Sequence, residues 1–229
     1  MDPVAEIVLW TVLFLGTHFI LSSAAIRDRL VAAVGAQPFR GIYSVIALAT
    51  FIPLVIVFAR HKHAGVMLWY LRGYGAVRGL TWLLMFVALI LFVAGLINPN
   101  PGAIGAPSSN HAHGILKITR HPSFVAIAIF GLAHLLMNGW AGDVIFFGSF
   151  PVLGILGGIH QDRRKLRELG EPYRELMATT SIFPGAALWS GRAKWSSGDM
   201  PWAGIGVGIA VTIIIVIFHP WIFGGSPMG

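Results

Sequence analysis

Two histidines, His18 and His134, fall well inside long apolar runs of this chain. An ionisable side chain there is expensive in lipid, so by default it marks a functional site facing the interior of a helix bundle. Each neutral imidazole offers one nitrogen lone pair. Two such rings facing each other across a dry interior could ligate one flat metal cofactor, and non-covalent haem b suits that pair. Equally, each could make a single interhelical hydrogen bond, and position alone leaves both readings open. Arg120 and His121 precede Pro122 at what should be a helix start, a place that attracts anions: a phosphate, a carboxylate or a haem propionate. A plain cap with an interface anchor fits them as well. His61-Lys62-His63 and His111-Ala112-His113 have the spacing of metal sites, but no carboxylate or third ligand stands near them in sequence. His160 and His219 fall at the ends of apolar runs and read as rim residues.

Other chemistries are excluded by composition and motif. The chain has no cysteine, which removes disulfides, thiolate zinc, iron–sulfur clusters, covalently attached haem and cysteine nucleophiles. No Ser-His-Asp pattern, P-loop or dinucleotide glycine fingerprint is present.

The elements that would position the two histidines are membrane helices. The 229 residues are 56% hydrophobic and 11% charged, with a mean hydropathy of +0.76. A soluble domain carries about 25% charged residues, so the pattern reads as a single all-α polytopic domain spanning residues 1–229. Six spans are expected, roughly at 4–25, 41–59, 79–97, 123–139, 142–160 and 202–219. Thr11, His18 and Ser22 share one face of the first; Ser123, Ile127, Gly131, His134 and Asn138 share one face of the fourth. At about 1.5 Å per residue, His18 and His134 lie about 11 and 17 Å from the same membrane side, so their depths match within about 6 Å. Pro53 should kink the second span. Gly154, Gly157 and Gly158 in the fifth, and Gly204, Gly206 and Gly208 in the sixth, are the small residues that let helices approach closely.

Charge sets the orientation. Placing residues 26–40, 98–122 and 161–201 in the cytoplasm puts twelve Lys and Arg inside against four outside, with both termini outside. The net charge of +7 therefore reports topology, and no nucleic-acid partner is implied. Residues 161–200 read as a basic amphipathic helix and an irregular stretch on the cytoplasmic face. Asp2 and Glu6 stand where a secretory signal needs positive charge. With no Arg/Ser-rich leader, a bacterial inner membrane is the expected location.

Several runs taken together resemble the NnrU family of membrane proteins, which includes plant and cyanobacterial zeta-carotene isomerases. They are Thr17-His18 through Arg27, Phe39-Arg-Gly-Ile-Tyr-Ser44, Gly114-Ile-Leu-Lys-Ile-Thr-Arg-His-Pro122, Gly131-Leu-Ala-His134, Asp162-Arg163-Arg164 and Thr180-Ser-Ile-Phe-Pro184. The resemblance covers nearly the whole chain in order. In the isomerase branch it implies haem b with two axial histidines, which fall on His18 and His134, one of them labile if the protein is an enzyme. Arg120 and His121 would then hold a propionate. The bacterial branch implies a haem-containing accessory factor of denitrification, and this is the expected function. A redox-gated carotene cis–trans isomerase acting on an apolar polyene is the alternative. Arg-His-Pro followed by Gly-Glu-x-Tyr is also similar to isoprenylcysteine and phospholipid methyltransferases, but Gln161-Asp162 stands where those enzymes carry Glu-Glu.

Overall fold

A computed structural model describes residues 1–97 and 112–224. Nine α-helices are present among them: α1 (Pro3–Ser22), α2 (Ala24–Val34), α3 (Ala36–Arg60), α4 (Gly75–Ile97), α5 (Pro122–Met137), α6 (Ala141–Leu169), α7 (Glu171–Thr179), α8 (Ala186–Trp189) and α9 (Trp202–Phe223). Described residues contribute no strand beyond one antiparallel bridge between Met67 and Trp140. Helices α1, α3, α4, α6 and α9 are long and apolar enough to cross a membrane. The fourth expected span, α5, has 16 residues, about 24 Å of helix against a hydrocarbon core of about 30 Å. It is apolar but shorter than the rest.

Three boundaries differ from the sequence reading, each for a local reason. The first span stops at Ser22 because Ser23 is extended, its hydroxyl turned back onto the Ile20 carbonyl at 2.7 Å. A separate helix, α2, then occupies most of the stretch read as a loop. The amphipathic helix expected from residue 161 is not separate: α6 runs unbroken from Ala141 to Leu169, so its charged end continues the fifth span. The irregular stretch holds two further short helices, α7 and α8. Pro53 sits inside α3, which continues through it. Pro122 begins α5 as expected, where its missing N–H costs nothing. His111 and most of the proline-rich loop lie outside the described residues.

The chain clusters into two compact units: residues 1–81 with 131–164, and residues 82–130 with 165–229. In the first, α1 packs along α3. Asp2 caps α1 by accepting from the Ala5 N–H at 2.9 Å, beside Pro3 in the first turn. Residues 64–68 run along the turn that enters α6: Leu68 N–H donates to the Gly139 carbonyl (2.7 Å), Ala141 N–H to Val66 (2.9 Å) and Gly142 N–H to Ala64 (3.0 Å). In the second unit, α9 lies against α4 at two glycines four residues apart. A Cβ on Gly204 would come within 2.7 Å of Ala94, and one on Gly208 within 3.0 Å of Ile90. Gly206 faces open space. Between membrane helices there is little hydrophobic driving force, so such close approach, with the dispersion contacts it allows, is what packs them. Leu91, Ala94, Ile115, Leu116 and Ala126 form the core of this unit.

Candidate functional site

Both intramembrane histidines belong to the first unit. Counted from the observed helix ends, His18 stands four residues before Ser22 and His134 twelve after Pro122. Those are about 6 and 18 Å at 1.5 Å per residue, so depth alone no longer pairs them. A run of aromatic rings joins them instead. His18 meets Phe14 with ring centroids 5.2 Å apart, Phe14 meets Phe51 at 5.1 Å, and Phe51 meets Phe150 edge-on at 6.4 Å. Phe150 meets Phe146 at 5.3 Å, Phe146 meets Phe147 at 5.0 Å, and Phe147 stacks on His134 at 4.6 Å. The apolar interior of α1, α3, α5 and α6 is thus lined with rings that carry no hydrogen-bonding group.

The surroundings of His18 are dry. Its other ring neighbour is Tyr43, edge-on at 5.1 Å, and its Nδ1 is buried with no hydrogen-bond partner. Thr11 Oγ1, on the same face, is buried in the same condition. A buried polar atom without a partner costs about 1–3 kcal/mol, so two on one face mark a place that binding could relieve. Ser22, third on that face, lies 3.4 Å from Nδ1 of His160. His160, read as a rim residue, therefore packs on α1.

Gly131 positions His134. A Cβ there would stand 2.5 Å from the Phe147 carbonyl oxygen and 2.5 Å from Pro151 Cδ. Only glycine lets α5 cross α6 this closely, which brings Phe147 onto the His134 ring. Asn138, the last residue of the expected polar face, lies just beyond α5 and donates from its side chain to the His134 carbonyl at 2.9 Å.

A second cluster lies at the loop between α3 and α4. His61 and His63 do have carboxylates beside them. Asp143 accepts from His63 N–H at 3.2 Å and lies 2.7 Å from His63 Nδ1, while His61 Nε2 lies 3.5 Å from Glu6. The signal in the sequence is an aspartate in the first turn of α6, ahead of its apolar run, where the macrodipole favours it. Trp140 packs on His63 at 4.3 Å. No group of three or more His, Asp and Glu placed to hold a metal ion occurs among the described residues.

Arg120 and His121 belong to the second unit and are buried, 8% and 2% exposed, rather than open on a rim. Their segment is bonded to the Thr180–Pro184 run. Thr119 Oγ1 donates to the Ile182 carbonyl at 2.7 Å, Arg120 N–H to Ser181 at 2.9 Å, and Gly185 N–H to Ile118 at 2.8 Å. Two motifs sixty residues apart in the resemblance are thereby one structural feature. Beneath it, Asp199 is held by Lys117 Nζ at 2.7 Å and by the hydroxyl and N–H of Ser196 at 2.7 and 2.8 Å. The Lys117 and Ser196 contacts keep its carboxyl far below the usual carboxylate range.

Comparison with known proteins gives two kinds of match. A family model described as NnrU protein covers residues 6–227. The chain is 29% identical to the chloroplastic 15-cis-zeta-carotene isomerase of Zea mays over 191 residues, 81% of this chain and 51% of that protein. It is 29% identical to the isomerase of the same name from Arabidopsis thaliana over 176 residues, 74% of this chain and 47% of that protein. The chain thus spans about half the length of these relatives. No solved structure matches it significantly.

Proposed function

The chain belongs to the NnrU family, and we propose that it is a membrane-embedded cis–trans isomerase acting on an apolar polyene of the zeta-carotene type. The observation that carries this reading is the similarity to two 15-cis-zeta-carotene isomerases over 81% and 74% of the chain. It displaces the denitrification role expected first, which neither isomerase supports. The ring-lined interior of the first unit supports it too. A long polyene needs an apolar, water-free surface, and Phe14, Phe51, Phe146, Phe147 and Phe150 supply one.

Haem b is the cofactor we propose, and His18 and His134 are the residues that would hold its iron. The donor chemistry suits it: two imidazoles in one unit, no cysteine competing, and a His18 Nδ1 that protein atoms leave unused. When bound, the cofactor would supply a redox-switchable iron, one of whose ligands is labile. The chain's part is to hold the two imidazoles, through the Gly131 crossing and the Tyr43 and Phe14 contacts, and to keep water away from the polyene. The charge count supports proposing an orientation with both termini outside, in a bacterial inner membrane.

The test is direct. Protein purified without added haem analogues and placed in lipid nanodiscs should show a reduced-minus-oxidised b-type spectrum. Under reducing conditions it should convert added 15-cis-zeta-carotene, followed by chromatography of the isomers. A haem-loaded protein that leaves the cis isomer untouched in both redox states rejects the isomerase reading.

A further inference from the structure

Residues 183–202 carry a group of exposed aromatic rings. Trp189 is 96% exposed, Phe183 74% and Trp202 70%. Large aromatic side chains seldom stand this open to water, and a group of them marks a surface that something covers. Their backbone is firmly held. Arg192 donates from Nη1 to the Thr180 carbonyl at 3.1 Å, and Ala193 N–H to Ala187 at 2.9 Å. Lys117 donates to the Lys194 carbonyl at 2.9 Å, and Asp199 is clamped as described above. The aromatic rings therefore project from a rigid platform rather than a slack loop.

Where the platform sits follows from its attachments, all within the second unit. Gly185 N–H donates to the Ile118 carbonyl just ahead of α5, the preceding Ser181 and Ile182 bond Arg120 and Thr119, and the stretch ends on Trp202, the first residue of α9. A segment tied to the starts of two apolar helices is confined to one edge of the bilayer. Its charge has one sign. Arg192 and Lys194 are exposed, and the lone acid of the stretch, Asp199, is buried and neutralised by Lys117. Indole rings prefer the headgroup level of a bilayer, and Lys and Arg beside them meet lipid phosphates.

We propose that residues 183–202 form an interfacial platform for anionic lipid, seating Phe183, Trp189 and Trp202 among the headgroups with Lys194 and Arg192 against the phosphates. The occupant is the leaflet itself. This holds whatever reaction the protein performs, so its success or failure is separate from that of the isomerase reading.

The absence of cysteine makes the test clean. Trp189→Cys and, separately, Phe183→Cys are labelled with an environment-sensitive fluorophore in the full chain, reconstituted in nanodiscs of phosphatidylcholine alone or mixed with phosphatidylglycerol. Far-UV helix content verifies folding for each variant. The expected result is quenching by lipids spin-labelled near the headgroup and loss of quenching by aqueous iodide, both stronger with phosphatidylglycerol. Lys194→Gln should remove that difference between the two lipids. Labels that iodide reaches freely in both membranes overturn the proposal. So do labels protected from iodide yet untouched by spin-labelled lipid, because a protein partner or second copy would then be the cover. Equal lipid quenching in both compositions overturns the preference for anionic lipid.

Discussion

Nδ1 of His63 lies 2.7 Å from Oδ2 of Asp143, a carboxylate fully removed from solvent and eighty positions away in sequence. The same carboxylate accepts the His63 backbone N–H through its other oxygen. One buried group therefore pins the loop after α3 to the start of α6. Asp143→Ala takes the acceptor from both His63 donors and should lower stability by about 1–3 kcal/mol, chiefly through the backbone N–H, because water can reach the half-exposed His63 ring. Asp143→Asn keeps an acceptor and should cost less. Thermal unfolding in detergent gives the order, and an alanine variant as stable as the parent would remove the pin.

His63 adopts φ +61°, the sole positive φ among the described non-glycine residues. A left-handed residue with a Cβ costs about 1–2 kcal/mol that glycine does not incur. His63→Gly and His63→Ala lose the same bond to Asp143, so the difference between them isolates the backbone. Glycine should be the more stable of the two by about 1 kcal/mol. Equal melting temperatures would mean the loop relaxes freely.

Gly131→Ala tests the helix crossing behind His134. The added methyl would overlap the Phe147 carbonyl oxygen and Pro151 Cδ, each 2.5 Å away, and neither is the end of a flexible chain. Overpacking of this kind typically costs about 1–3 kcal/mol. The shift should also move Phe147 off His134, so bound haem should change its spectrum even where the protein still folds. Gly206→Ala, which meets open space, is the matched control.

Much of this was legible in the sequence, and the misses share a cause. Apolar length and charge gave the helical membrane class, and Pro122 marked its helix start without ambiguity. Periodicity put His134 and Gly131 on one face, and they do meet α6 together. What spacing cannot carry is long-range pairing. Nothing local to His63 announces Asp143, and nothing local to Arg120 announces Ser181, because loops are brought together by the helices between them. The break at Ser23 has a different cause. Serine interrupts a helix only when its hydroxyl turns back on the chain, a local choice that hydropathy does not register. The depth estimate depended on helix ends, the least reliable part of any periodicity reading.

His18→Ala and His134→Ala should each abolish bound haem b or convert it from six- to five-coordinate, since no thiolate can substitute. His61→Ala and His63→Ala, whose side chains contact Glu6 and Asp143, should leave the spectrum unchanged. Haem unaltered in both intramembrane variants would end the ligand assignment.

The last prediction concerns acid and the clamp around Asp199. Its carboxyl is held far below the usual range, first by the Lys117 ammonium, then by Ser196. A group whose pKa is lower in the folded state contributes stability above its unfolded value, about pH 4 for an aspartate. The contribution is lost as pH falls through the folded value. The clamp should therefore be at full strength from neutrality down to about pH 5 and weaken only in stronger acid. Asp199→Asn removes the charge at every pH. At pH 7 it takes the counter-charge from the Lys117 ammonium, which keeps its bond to the Lys194 carbonyl, and should cost about 1–3 kcal/mol. Below about pH 4 the unfolded parent takes up a proton on Asp199 while the folded parent keeps its charge, so the clamp contributes less and the gap between the two proteins should narrow. The difference between parent and variant is the quantity to follow, because it cancels what the two proteins share. Chemical unfolding at pH 7, 5, 4 and 3 supplies it. A gap that stays constant down to pH 3 would mean Asp199 releases no clamp in that range, and a gap that widens would reverse the sign of the argument.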